Sequence, residues 1–271
     1  MKILSWNIVS FRSFIKKNNI IDNKKSKNNT FENYLSENNF DIVCLQELKL
    51  NEDSAHILLD FMPEKYEYKY LNIPHIKKGY SGVGIMSKIK PIKVSDKLLN
   101  SDSENESEGR YMKVEYKDFY LINVYFPNAG EGLKRLKYKD NFNKIFLKKI
   151  LKLKSKKEVI IIGDFNAIQS KIDTYSFDSH YNKLAGVTDL EIKFLNELID
   201  SGFKNTFREL HPNKIQYSYF TYRWSGRSKN LGLLIDFALI TEKLLKKVKS
   251  IKYLDNIYGS DHLPIQLHLD I

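Results

Sequence analysis

Cysteine is nearly absent. Cys44 is the one thiol in 271 residues, which excludes an intrachain disulfide framework and any multi-cysteine zinc site. Its place in the apolar run Ile42-Val43-Cys44-Leu45 predicts a packing role, and so sparing a use of thiols suits a reducing, intracellular compartment. Long apolar runs are missing as well: none approaches the roughly 18 residues of a membrane span. The N-terminus enters a strand-like run at its second residue without the design of a secretory leader, so a soluble cytoplasmic protein is expected. No linker-like stretch and no short-period repeat interrupts the chain, which predicts one domain over residues 1–271. Acidic residues are outnumbered, 33 against 44 Lys and Arg, for a formal charge of +11. A surplus of that size points to an anionic partner, nucleic acid or a membrane surface, with the Lys- and Asn-rich bias of an AT-rich genome as the rival explanation.

What is present is a series of short apolar strands. Lys2–Asn7, Ile42–Gln46, Val83–Ser87, Tyr111–Tyr116, Phe119–Tyr125, Val159–Asp164, Ile235–Ile240 and Pro264–Leu269 all read as strands. Several are apolar at successive positions, which predicts burial on both faces inside a layered sandwich. Helical patterns alternate with them. Thr30 caps a helix bearing Phe31, Tyr34 and Leu35, and Thr188 with Glu191 fits a capping box ahead of Ile192, Leu195, Leu198 and Ile199, with Gly202 at the stop. Leu136, Phe142, Ile145, Phe146, Ile150 and Leu153 form a third stripe, whose accompanying lysines are expected on a solvated face. Residues 16–30 are predicted to form a long Lys/Asn-rich loop, and residues 100–109 an acidic one.

Polar residues gather where the apolar runs stop. Asn7 closes the first strand, and Gln46 and Glu47 the second. Tyr125 and Asn128 follow another, as do Asp164 and Asn166, while Asp236 lies in a late strand and Ser260, Asp261 and His262 precede the last. Each alone is explained by turn and cap chemistry. Brought together they would form a cleft of carboxylates, amides and one imidazole. Glu47, helped by Asn7 and Asp261, offers hard oxygen donors suited to Mg²⁺ or Mn²⁺. Asp236 would fix the tautomer of His262 and favour its charged form. Asp164 would orient or deprotonate a water held by Asn166, with Tyr125 and Asn128 donating to an anionic oxygen. These are the parts of a metal-assisted phosphodiester hydrolase.

The segments SWN (5–7), DIVCLQELK (41–49), GYSGVGIMSK (79–88), EGR (108–110), NVYFPNAGEGLKRL (123–136), IIGDFNAI (161–168), LAGVTDLE (184–191), TYRWSGRSKNLG (221–232), IDF (235–237) and GSDHLPI (259–265) span the chain. In that order they resemble the exonuclease III family of apurinic/apyrimidinic (AP) endonucleases, within the endonuclease/exonuclease/phosphatase superfamily. The resemblance implies an α/β fold, a four-layer αββα sandwich of two mixed sheets flanked by helices, like deoxyribonuclease I. It implies Mg²⁺-dependent hydrolysis of the DNA backbone 5′ to an abasic site, leaving a 3′-hydroxyl, with Mn²⁺ as a substitute metal. Implied roles follow by motif: Glu47, Asn7 and Asp261 at the metal; Asp164 and Asn166 at the water; His262 with Asp236 at the scissile phosphate; Tyr125 and Asn128 at the transition state; Tyr80 and Arg135 on DNA. Arg110, Arg223, Arg227 and Lys229, with Tyr222 and Asn230 beside them, are where the positive charge is expected to meet DNA. The partner implied is double-stranded DNA with abasic or 3′-blocked lesions, engaged by a monomer that needs no protein partner and works at the nucleoid or in the nucleus.

Departures from the family pattern fall at the lesion pocket. Val9-Ser10 follow SWN-x where relatives carry Asp, Asn or Gly, and Glu131 stands where some carry Arg. Leu233 and Leu234 replace the Trp-Arg pair whose Trp walls the abasic pocket, leaving Tyr219 and Phe220 as its aromatic residues. Arg223 resembles bacterial relatives. The alternatives are chiefly a 3′ exonuclease with weak AP activity, a phosphatase acting on a phosphoinositide or sphingomyelin head group, and an inactive DNA-binding module on the same fold.

Overall fold

The computed structural model describes residues 1–17, 30–75, 78–99, 108–222 and 225–271. Most of the loop expected at 16–30, the acidic stretch 100–107 and Arg223 lie outside the described residues. The strands are β1 (Lys2–Asn7), β2 (Ile42–Gln46), β3 (Tyr68–Asn72), β4 (Val83–Ser87), β5 (Lys93–Ser95), β6 (Tyr111–Glu115), β7 (Phe119–Tyr125), β8 (Glu158–Asp164), β9 (Phe203–Asn205), β10 (Tyr219–Phe220), β11 (Gly232–Leu233), β12 (Asp236–Thr241), β13 (Val248–Tyr253) and β14 (Ile265–Leu269). They form one six-stranded sheet in the order β13-β14-β1-β2-β4-β3, a second in the order β5-β6-β7-β8-β12-β9, and a β10–β11 ribbon. Each large sheet is built around one parallel pair, β1 with β2 and β7 with β8, and its other pairings are antiparallel.

Every strand expected from sequence is present. Those it missed include β13, β3, β5 and β9, which are the four sheet edges. Edge strands such as Val248–Tyr253 (VKSIKY) carry lysines and exposed positions, so they lack the apolar run that marks a buried strand and exist because a neighbour pairs with them.

The period of two along the strands divides the core into layers. Ile3, Ile42, Cys44 and Ile85 join the second sheet's side chains, while Leu4, Trp6, Val43, Leu45 and Met86 pack with Phe11, Phe14, Phe31, Leu35 and Leu58. The latter come from α1 (Phe11–Lys17), α2 (Phe31–Asn38) and α3 (Ala55–Phe61). On the outside of the second sheet lie α4 (Leu136–Lys154) and α5 (Asp189–Asp200). The sandwich is thus the expected α/β, four-layer arrangement. Both expected caps form: Thr30 Oγ1 accepts from the Asn33 amide, and Thr188 with Glu191 makes a reciprocal capping box. The stripe of α4 is corrected in one respect. Leu136 and Ile145 are only half-buried, whereas Lys139 and Asn143 lie in the buried face. Cys44 is fully buried, and burial pushes its thiol well above the ordinary range. No helix among the described residues is long and apolar enough to cross a membrane.

Candidate active site

The two parallel pairs end side by side. Asn7 pairs with Gln46 on the last rung of β1 and β2, and Glu47 follows at once. Tyr125, Asp164 and Asp236 share the last rung of β7, β8 and β12. That rung depends on Gly163, whose φ is +141°, because a Cβ there would stand 2.1 Å from the Val124 carbonyl oxygen. Gln46 Nε2 donates to Ser5 Oγ on the neighbouring strand at 2.9 Å and, across the sandwich, to Asn123 Oδ1 at 2.7 Å, tying the sheets together beneath the strand ends. A cavity of about 370 Å³ opens there, lined by Val9, Glu47, Tyr125, Asn128, Asp164, Asn166, Tyr219, Leu233, Ile235, Asp261 and His262 among others. Val9, Glu47 and Asn166 have φ of 62°, 55° and 49°. Left-handed backbone at non-glycine residues costs about 1–3 kcal/mol each and concentrates at functional sites.

An acid–base unit forms the floor. His262 Nδ1 lies 2.8 Å from Asp236 Oδ2, which also accepts from Ser218 Oγ at 2.6 Å. His262 Nε2 is 4.0 Å from Asp164 Oδ2. Asp164 accepts from the Asn166 amide at 2.7 Å and from Asn7 Nδ2 at 2.9 Å. The turn carrying His262 is pinned by Ser260 Oγ, which donates to the Asn7 carbonyl, and by Trp6 Nε1, which donates to the His262 carbonyl. Burial alone would pull the imidazole pKa down, but the charge and hydrogen bond of Asp236 override it, helped by Asp164 and Asp261, and lift it to about 10. Asp164 is pushed up to about 7, first by burial and then by the charge of Asp236, against the opposing His262 cation and the bonds from Asn166 and Asn7. The outcome is an imidazolium beside a carboxylate poised to exchange a proton near neutrality. Tyr125 stays a phenol donor, since burial and the neighbouring Glu47 raise its pKa well above the ordinary value.

Two sets of donor groups have the chemistry to hold a cation. The ligating atoms of Asp164, Asp236 and His262 lie within 4.8 Å of one another, yet they already satisfy one another and their amide neighbours. Glu47 and Asp261 are less committed. Glu47 Oε1 meets Lys49 Nζ at 2.7 Å, and the Asp261 carboxylate has a long 3.5 Å contact from Ser260 Oγ. The two carboxylates line one cavity, and burial, with Glu47's charge adding to it, raises the pKa of Asp261 despite the His262 cation. Paired, incompletely satisfied carboxylates suit a hard divalent cation that keeps part of its water shell. Asn7, expected beside the metal, lies behind Asp164. It is fully buried, its Nδ2 is given to Asp164 and its Oδ1 accepts from the Val9 amide, so it supports Asp164 from behind.

The expected DNA-contact residues divide into two groups. Arg110 is 1% exposed and corrects the expectation that it touches DNA directly. Its Nε donates to Glu108 Oε2 at 2.5 Å, its Nη2 to Tyr80 Oη at 3.0 Å and its Nη1 to the Tyr125 carbonyl at 3.2 Å, and its guanidinium lies 4.7 Å from the Tyr125 ring centroid. Arg135 joins Tyr80 and Glu108 from the more exposed side. Burial would raise the pKa of Glu108, but the two guanidiniums hold it below the usual carboxylate range. Tyr222, Arg227 and Asn230 belong instead to a neighbouring cavity of about 1010 Å³ that also reaches Asp261, and Lys229 is exposed on the same loop. Arg227 stacks 3.9 Å over Tyr258 and donates to the Asp255 and Ile257 carbonyls. Phe220 faces this second cavity, not the first, and Leu234 is buried in the core. The apolar wall beside His262 is therefore Tyr219, Leu233 and Ile235. Sequence reasoning missed Ile235, Glu108, Ser218, Lys139 and Glu191. Ile235 and Glu108 sit in quoted motifs, whereas nothing local distinguishes Ser218.

The sequence profile described as the Endonuclease/Exonuclease/phosphatase family matches residues 4–262. The chain is 32% identical to an exodeoxyribonuclease of Bacillus subtilis over 100% of both chains. It is 34% identical to the DNA repair nuclease APEX1 of Danio rerio, over 100% of this chain and 83% of that one. Among solved structures, the AP endonuclease LMAP from Leishmania major superposes with a TM-score of 0.86 at 24% identity, covering 98% of this chain and 86% of that one. The 3′-5′ exonuclease NExo from Neisseria meningitidis gives 0.80 at 23% identity, covering 100% of both chains. These superpositions establish the fold, and the full-length identities establish kinship: the chain belongs to the endonuclease/exonuclease/phosphatase family, in the part of it that holds the exodeoxyribonucleases and AP endonucleases.

Proposed function

We propose that the chain is a single catalytic unit, a Mg²⁺-dependent AP endonuclease that hydrolyses the DNA phosphodiester 5′ to an abasic site. The observation that carries this reading is one cavity combining the Asp164–Asp236–His262 unit, the Glu47/Asp261 carboxylates and an apolar wall of Tyr219, Leu233 and Ile235. Asp164 takes the proton of the attacking water, which Asn166 helps to orient. The His262 imidazolium, held charged by Asp236, meets a non-bridging oxygen of the scissile phosphate. Tyr125 and the second amide hydrogen of Asn128 donate to the charge that develops in the transition state; the first is given to Asn166 Oδ1 at 2.7 Å. Glu47 and Asp261 would hold Mg²⁺, with Mn²⁺ as a substitute, and the bound cation would supply neutralisation of the charge that develops during hydrolysis. The apolar wall receives a baseless sugar turned out of the duplex, and backbone contacts suffice because no base has to be read.

Leu233 supports a second reading. A leucine wall is shorter than an indole and accepts a normal 3′-terminal nucleotide more readily, which favours 3′-5′ exonuclease or 3′-phosphodiesterase action beside AP cleavage. A duplex with one abasic site, assayed with and without EDTA beside a recessed undamaged end, separates the two. Rapid metal-dependent nicking at the lesion is expected, and digestion of the undamaged end at an equal rate would make exonuclease the better description. The enzyme is proposed to act as a monomer, without an obligatory protein partner, in the compartment that holds chromosomal DNA.

A bell-shaped pH profile is expected. In kcat/KM the acid limb should lie near pH 7, where Asp164 ionises, and the alkaline limb near pH 10, where His262 loses its proton. The limbs belong to the coupled group. Because Asp236 is the main cause of the raised imidazole, Asp236→Asn should move the alkaline limb downward, measured as initial nicking rates across pH 5.5–10.5 (about the range set by those two limbs).

A further inference from the structure

α4 carries its lysines outward with one exception. Lys139 is 0% exposed and belongs to no metal, phosphate or DNA contact proposed above. Its Nζ donates to the Asn166 backbone carbonyl at 2.5 Å and to Glu191 Oε1 at 2.7 Å. Glu191, itself buried, uses its other oxygen to accept from the Gly186 amide at 2.8 Å, the Thr188 amide at 3.2 Å and Thr188 Oγ1 at 2.8 Å. The Gly186 carbonyl in turn accepts from the Ile168 amide at 2.8 Å. One buried ion pair therefore joins α4, the turn after Asp164 and the loop whose Leu184 and Ala185 line the cavity.

The geometry at Asn166 makes the contact more than packing. Asn166 has left-handed backbone, φ 49°. In that conformation its amide faces Asp164 Oδ1, its Nδ2 reaches the Phe126 carbonyl at 2.9 Å and its Oδ1 accepts from Asn128. A residue in this region relaxes to ordinary backbone unless its surroundings hold it, and Lys139 holds its carbonyl. A buried ion pair contributes little net stability, because desolvation consumes most of the attraction. Its presence here is better explained by what it orients.

We propose that Lys139 and Glu191 are a positioning pair that holds the Asp164–Asn166 turn, and with it the Asn128 amide, in the arrangement needed for cleavage. The proposal rests on the reading of Asp164 and Asn166 as the groups that handle the attacking water. Lys139 touches no substrate; it acts through Asn166.

The test uses three variants of the full chain. Lys139→Met removes the contact to Asn166 but strands a buried carboxylate, so it should also lower Tm. Lys139→Met/Glu191→Gln removes that charge, while the amide carbonyl still accepts from Gly186 and Thr188, and should melt close to the parent. Its kcat for nicking the abasic duplex should nonetheless stay about 10- to 100-fold below the parent's with little change in KM, the usual size of an orientation defect. Glu191→Gln alone keeps the Lys139–Asn166 contact but leaves the buried Lys139 ammonium without its counter-charge, so it should lower Tm while costing less in kcat than the double variant. Hydrogen exchange, read without substrate, should quicken over residues 164–168 in the double variant. Recovery of the parental kcat by the double variant would show the pair to be a stability element and overturn the proposal, as would unchanged exchange over residues 164–168. A parent inactive on abasic DNA would instead refute the proposed function, and the exchange measurement would still decide whether the pair holds the turn.

Discussion

Asp164→Asn should nearly abolish cleavage and, in the same protein, flatten part of the pH dependence of stability. The loss of rate follows from removing the one carboxylate placed to take the water's proton, an effect of about 10²- to 10⁴-fold. The stability effect follows from linkage. The folded-state pKa of Asp164 is raised from 3.8 to about 7, so the folded protein holds this proton more tightly than the unfolded chain does. A raised carboxylate destabilises as pH rises: there is no penalty below the unfolded pKa, a growing one between pH 4 and 7 at about 1.4 kcal/mol per pH unit for a single group, and a constant one above. The physical cause is a buried group of two carboxylates and one imidazolium with an excess negative charge. The asparagine carries none. It also meets two amide donors, Asn7 Nδ2 and Asn166 Nδ2, at the former Oδ2, and that cost does not vary with pH. The difference in Tm between variant and parent, measured in EDTA, should therefore move in the variant's favour from pH 4 to 7 and then level off. A constant difference would mean that Asp164 is already ionised in the folded protein at low pH.

Glu47→Gln should shift the metal requirement and leave the fold in place. Glu47 and Asp261 are the carboxylates proposed to hold the divalent cation, and halving their charge should weaken divalent binding by about 100-fold or more. Cleavage should fall at low Mg²⁺ and recover in part as Mg²⁺ is raised. The substitution keeps the side chain's length and its left-handed backbone, and the ion-pair partner Lys49 is partly exposed, so Tm should change little. Nicking rates titrated with MgCl₂, together with Mn²⁺ binding followed by EPR, check this. An unchanged midpoint in both would remove Glu47 from the metal site and return attention to the Asp164–Asp236–His262 group.

Much of the site was legible in the chain because its residues punctuate apolar strands. Glu47, Asp164, Asp236 and His262 stand out where a continuous apolar run meets polarity, and the motifs around them are contiguous. Other parts were illegible for definite reasons. Arg110 looked like a DNA contact because arginine usually lies at the surface; that its guanidinium is consumed by Glu108, Tyr80 and the Tyr125 carbonyl depends on three segments meeting. Lys139 looked like one more solvated lysine, and its partner Glu191 lies 52 positions away.

The sequence by itself determined the buried strands, the capped helices, the family and the candidate groups of the site, since each is written in local periodicity or in short unbroken motifs. Only the tertiary structure decided how those groups are used. It turned Asn7 toward Asp164, placed Phe220 in the neighbouring cavity, and set Ile235 beside Tyr219 and Leu233 at the wall. It also paired the edge strands and buried Lys139 behind the Asn166 turn. The reason is common to all of these. A hydrogen bond, an ion pair or an edge pairing is a relation between residues far apart in the chain, and its direction is fixed when the two sheets close on one another.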